Sequence, residues 1–104
     1  MAFNGTEANS INHSTAAEWT KNHREASPGK PIAYFFGKDI LLNILAQEGC
    51  MGIRLYYGLN GNTPQLIAVG ADAEENDQLS GERIVADDAP SSPPRTGEAN
   101  ILNS

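Results

Sequence analysis

The chain has 104 residues, 39% of them apolar and 7% aromatic, which is enough for one small domain with a lean core. Its formal charge is −6; with no basic stripe to neutralise phosphates, nucleic-acid binding and docking on an anionic membrane are both disfavoured. A single cysteine, Cys50, excludes an internal disulfide, so self-association is the remaining common remedy for a small core.

The acidity is uneven. Residues 1–60 hold five basic and five acidic side chains, whereas residues 61–104 hold two basic and eight acidic. The opening MAFNGTEANS lacks the cationic and apolar regions of a signal peptide, and no apolar run approaches a membrane span. A cytoplasmic location is expected, with export by a signal-less route left open.

Residues 1–11 read as a flexible leader, polar and small. A helix is expected from about Ser14 to Glu25, with Thr15 and Glu18 as a capping box. Ala16, Trp19, His23 and Ala26 recur at helical spacing and define its inward face, with Trp19 as a core anchor and His23 partly buried. SPGKP (Ser27–Pro31) stops that helix. Ile32–Phe36 is β-branched and aromatic, and reads as a short strand or an extended lead-in. A second helix follows from about Lys38 to Glu48. Its apolar stripe of Ile40, Leu41, Ile44 and Leu45, widened by Leu42, predicts a mostly buried element. Asp39 in the first turn complements the helix dipole, and Gly49 suits a left-handed position after the last turn.

The densest pattern is GCMGIRLYYGLNGNTPQLIAVGAD (Gly49–Asp72). Alternation on both sides of NGNTP predicts a β-hairpin. A five-residue loop at 60–64, with Pro64 blocking strand extension, would place Leu55 opposite Val69 and Tyr57 opposite Ile67. On the other face Tyr56 would meet Ala68, Arg54 would meet Gly70, and Gly58 would meet Leu66. In that register Gly58 and Gly70 make room for bulky neighbours, and no phosphate-gripping role is needed. The chain then turns acidic. Glu82–Asp87 is a candidate further strand, and residues 89–104, rich in Pro, Ser and Asn, read as a mobile tail.

Few side chains suggest chemistry. Cys50 follows a helix C-terminus, the wrong end of the dipole to stabilise a thiolate, and His23 is the only plausible base for it. A buried structural cysteine is the better reading, and no catalytic residue is assigned. Two histidines and one cysteine make no metal spacing. The segment from Asp72 to Arg83 has a superficial calcium-loop look, but its sixth position is Asp77 where glycine is required and its twelfth is Arg83. No metal or cofactor is expected. Lys38, with the free N–H groups of its helix start, could bind an anion together with Arg54 and Tyr56. Arg54, Tyr56 and Leu66, on the second face of the hairpin, are the interface candidates, because Arg and aromatic side chains are the usual anchors.

Several stretches resemble a family of small bacterial proteins of unknown function, over about residues 15–77. They are WTKN (Trp19–Asn22) with Arg24, FFGKDI (Phe35–Ile40), ILAQ (Ile44–Gln47), and the G-C-x-G-I-R-x-Y-Y-G-L run from Gly49 to Leu59. PQL (Pro64–Leu66), Val69-Gly70 and Asp72 complete the pattern. The resemblance implies no activity.

The expected fold is α+β, with two N-terminal helices packed on a small antiparallel sheet centred on the hairpin. One domain would span residues 12–88, between leader and tail. The leading functional expectation is a non-catalytic interaction or assembly module, a homodimer or other homo-oligomer, with an unidentified protein as a further partner. The alternative is a small anionic-ligand-binding domain.

Overall fold

The structure is a computed structural model and describes residues 2–104. Its elements in chain order are α1 (His13–Ala26), β1 (Ala33–Tyr34), α2 (Lys38–Leu45), β2 (Gly52–Asn60), β3 (Thr63–Ala71), β4 (Val85–Ala86) and β5 (Ser91–Ser92). The class is α+β: two N-terminal helices and a small antiparallel sheet centred on the β2–β3 hairpin. No helix among the described residues is long and apolar enough to cross a membrane. The chain forms two compact units. The first holds the residues up to Glu7 together with Phe36–Ala89, and the second holds Ala8–Phe35 with Pro90–Ser104.

In the first unit the sheet order is β2-β3-β4, all antiparallel. β2 and β3 pair along their whole length, from Gly52 opposite Ala71 to Asn60 opposite Thr63. The connection is therefore the two residues Gly61-Asn62, not the expected five. Gly61, the first of them, has φ +63°, the place where a type II′ hairpin turn takes glycine. The shorter turn shifts the register by one residue from expectation. Leu55 now faces Ala68, Tyr56 faces Ile67, Arg54 faces Val69, Tyr57 faces Leu66 and Gly58 faces Gln65. Pro64 was expected to end the strand, yet it pairs with Leu59. On its other side β3 meets β4 only at Ala68 and Val69, so a missing N–H at Pro64 removes no ladder bond there.

This register sorts the hairpin into two faces. Ile53, Leu55, Tyr57 and Leu59 share one with Leu66, Ala68 and Gly70; Arg54, Tyr56 and Gly58 share the other with Ile67, Val69 and Ala71. α2 packs on the first face. Ile44, fully buried, joins Ala68 and Ala86 at the centre, with Phe36, Ile40, Cys50, Ile53 and Ile84 packed around them.

α2 is shorter and less buried than expected. It ends at Leu45, and only Ile44 in it is fully enclosed, while Leu42 and Leu45 remain exposed. Gly49 does take a left-handed conformation (φ +80°), but within a turn beyond the helix end, where the Cys50 amide donates to the Gln47 carbonyl. That turn is tied to Gln78, a buried polar residue. The Gln47 Nε2 donates to Gln78 Oε1 at 3.1 Å, Gln78 Nε2 to the Glu48 carbonyl at 2.9 Å, and the Ile84 amide to Gln47 Oε1 at 2.7 Å. Two glutamines thereby join the end of α2, the loop after β3 and the approach to β4. Both amide ends of buried Gln78 and of half-buried Gln47 are hydrogen-bonded, as burial demands. Gly70 lies directly beneath them. A Cβ there would sit 2.7 Å from Gln78 Oε1, 3.0 Å from Cys50 Sγ and 3.1 Å from Gln47 Nε2. Gly70 thus makes room, as expected, but for this amide pair and not for Arg54.

In the second unit, β1 pairs antiparallel with β5, Ala33 opposite Ser92 and Tyr34 opposite Ser91. The Ile32 and Phe35 amides extend the pairing to the carbonyls of Ser92 and Pro90. The segment read as a tail therefore supplies a strand. α1 starts one residue before the expected Ser14, with Asn12 at its N-cap and no side-chain cap bond, so Thr15 and Glu18 do not form the expected box. The helix buries no residue fully. Trp19, expected as a core anchor, is 60% exposed, and His23, expected to be partly buried, is exposed. The Arg24 guanidinium donates to the carbonyl oxygens of Leu102 and Ser104 at 2.6 and 2.8 Å.

Candidate functional site

Two features of β2 stand out, one on each face of the hairpin. The first is a polar constellation built from alternate strand positions. Arg54 and Tyr56 are two residues apart, so both project from the face opposite α2. The segment after β3 turns back, with Asp77 bridged to Ala71, and the Asp77 carboxylate reaches across β3 to both. Arg54 Nη1 donates to Asp77 Oδ1 at 2.6 Å and Tyr56 Oη donates to Asp77 Oδ2 at 2.5 Å. Arg54 also donates to the Glu75 carbonyl at 3.2 Å, and its guanidinium carbon lies 5.4 Å from the centre of the Phe3 ring, within cation–π range. Val69 and Ala71, on the same face, are buried.

The loop that delivers Asp77 is shaped by Asp72. Its Oδ1 accepts from the amides of Glu74 and Asn76, both at 3.0 Å, an Asx-type turn that competes with further strand.

Electrostatically this is a saturated cluster. The Tyr56 hydroxyl, followed by Arg54, holds the Asp77 carboxyl below its ordinary value, against the opposing effect of burial. Asp77 in turn raises both the Tyr56 hydroxyl and the Arg54 guanidinium. An internal carboxylate therefore occupies the place an anionic ligand would take. Lys38, the third residue of the anion-site expectation, opens α2, which packs on the other face of the sheet. Lys38 is not brought together with Arg54 and Tyr56. The one-residue register shift also separates the interface candidates, with Leu66 on the α2 face and Arg54 and Tyr56 on the opposite one.

Cys50 Sγ donates to the Gly52 carbonyl at 3.2 Å, within the first unit, whereas His23 belongs to α1 in the second. Among the described residues, no three His, Cys, Asp or Glu side chains are grouped to hold a metal ion. A concavity of about 220 Å³ lies between Phe3, Glu7 and the start of β2, and a wider one of about 740 Å³ is lined by acidic side chains including Glu48, Asp72 and Glu74. Both are open to solvent.

The second feature is the strand itself. β2 lies at the edge of its sheet: β3 pairs with one side of its backbone and, among the described residues, no strand pairs with the other. It runs for nine residues and carries one charge, Arg54. On its α2 face Leu55 is 52% exposed, Leu59 73% and Tyr57 94%. The reason is length. Eight residues of α2 reach about 12 Å, whereas nine residues of strand reach about 30 Å. Ile53 packs against the cluster around Ile44, whereas Leu55, Tyr57 and Leu59 are not part of it.

Arg54 and Tyr56 are candidates from sequence; Asp77 and the exposed row of Leu55, Tyr57 and Leu59 are not. Asp77 was hidden in an acidic run, because the register that brings it to Arg54 and Tyr56 depends on the loop after β3. The exposed row was legible in principle from the mismatch between a long alternating strand and a short helix. No family model matches this chain, and neither a curated protein nor a solved structure does.

Proposed function

We propose that the chain is a non-catalytic interaction module that acts as a homo-oligomer. One observation carries the reading: a long, nearly uncharged edge strand presents three large apolar side chains. Unpaired strand edges are templates for association, and proteins that stay monomeric blunt them with charge, proline, bulges or short length. β2 has none of these protections apart from Arg54, which is drawn to Asp77. The other edge of the same sheet is blunted. β4 is two residues long and runs into Asp87-Asp88.

The alternative of an anionic-ligand domain has less support, because Asp77 already satisfies Arg54. A catalytic role for Cys50 has less still, since its thiol is engaged with a backbone carbonyl.

Sedimentation velocity across a wide concentration range tests the proposal. The expected result is a species of two or more chains that shifts toward one chain on dilution. A single chain at every concentration would overturn it.

A further inference from the structure

Resting on the assembly reading, we infer that the partner is a second copy of this chain, joined β2 to β2 in antiparallel register with Tyr56 on the two-fold axis. The strand runs from Gly52 to Asn60, and Tyr56 is its midpoint. Antiparallel edge pairing of identical strands requires a two-fold perpendicular to the sheet, which keeps each face continuous from one copy to the next. Residues opposite each other must then share a face, so the pairing is centred on a residue. Centring on Tyr56 engages the whole strand; a centre on Leu55 or Tyr57 leaves residues unpaired at an end.

The side chains fit this register. On the α2 face Leu55 meets Tyr57 of the second copy and Ile53 meets Leu59, so the exposed row of one copy covers that of the other. On the opposite face Arg54 falls opposite Gly58, so the sole charge of the strand meets no like charge. Charge also selects the edge. The excess of acid lies outside residues 49–71, which hold only Arg54, and pairing through β4 would bring Asp87-Asp88 against its own copy. Nine pairs give a contact about 30 Å long, which predicts a modest, concentration-dependent dimer at the lower end of specific interfaces.

Cysteine cross-linking reads the register. In a Cys50→Ser background, Leu55→Cys and Tyr57→Cys proteins are oxidised with oxidised glutathione, each alone and mixed. Directly opposite positions in an antiparallel pair lie within disulfide reach, whereas the diagonal ones are about 7–8 Å apart and beyond it. The expected result is a disulfide dimer in the mixture, several-fold more abundant than in either protein alone. A dimer linked by Leu55→Cys alone or Tyr57→Cys alone, or a dimer with no link in any sample, overturns the register and leaves the assembly reading intact.

Sedimentation of Tyr57→Lys and Val85→Lys identifies the edge. The first should weaken association at least tenfold and the second leave it unchanged; the reverse pattern assigns the interface to β4 and overturns the inference. Both side chains are at least half exposed, and unchanged circular dichroism confirms folding. A parent protein that is a single chain throughout overturns the assembly reading and this inference together.

Discussion

Asp77 holds two residues of β2 at once, through hydrogen bonds to Arg54 and Tyr56, and that arrangement sets how stability responds to pH. The folded pKa of Asp77 is depressed, first by Tyr56 and then by Arg54. Its contribution is therefore fully present above the unfolded carboxylate value, about 4. It is lost as pH falls through the lower folded value. Thermal melts from neutral pH downward should show the parent losing stability below about pH 4, with a shallower acid limb in Asp77→Asn. Equal acid limbs in the two proteins would count against the cluster. Tyr56 works in the other direction. Its folded pKa is raised, chiefly by Asp77, so the stability it adds is present below the unfolded tyrosine value and lost as pH climbs through the folded one.

Gly70 gives a second test at the same scale. An added methyl meets the ends of Gln47 and Gln78. Such ends usually swing away, but both are pinned, Gln78 to the Glu48 carbonyl and Gln47 to the Ile84 amide. Gly70→Ala should therefore cost about 1–3 kcal/mol in urea unfolding; a neutral result would mean the amide pair adapts. The recurrence of Arg54 and Tyr56 on one face was legible in the sequence. Their shared carboxylate was not, because it comes from a segment more than twenty residues on that reads only as an acidic loop.

At the scale of elements, the hairpin was legible and its register was not. Alternation located both strands, but the turn residues in NGNTP fit a five-residue loop and a two-residue turn equally well. Pro64 misled because its effect depends on whether β3 has a neighbour beside it, and β4 is too short to provide one there. One residue of slip exchanges faces between the strands, and that slip explains why Leu66 and the Arg54–Tyr56 pair were expected together. The turn itself is testable. Gly61 has φ +63°, a conformation that opposes a β-branched side chain, so Gly61→Val should destabilise the hairpin by about 1–2 kcal/mol. No change in the unfolding midpoint would refute the positive-φ turn.

At the scale of the whole molecule, the sequence supported one domain between residues 12 and 88, whereas the chain gathers into two compact units. The pairing of β1 with β5 brings together stretches almost sixty residues apart. Each strand is two residues long, too short for alternation to show. The same smallness motivates the assembly reading. In the first unit the fully buried apolar residues are few and mostly alanine-sized, while the largest apolar side chains of β2 face outward.

Hydrogen exchange of the β2 amides at high and low protein concentration reads the pairing of this strand amide by amide. Along an edge strand, alternate amides point away from β3. Those outward amides between Gly52 and Asn60 should be protected at high concentration and lose protection on dilution, while the inward ones stay protected at both. Outward amides that exchange at the same fast rate at every concentration would contradict it.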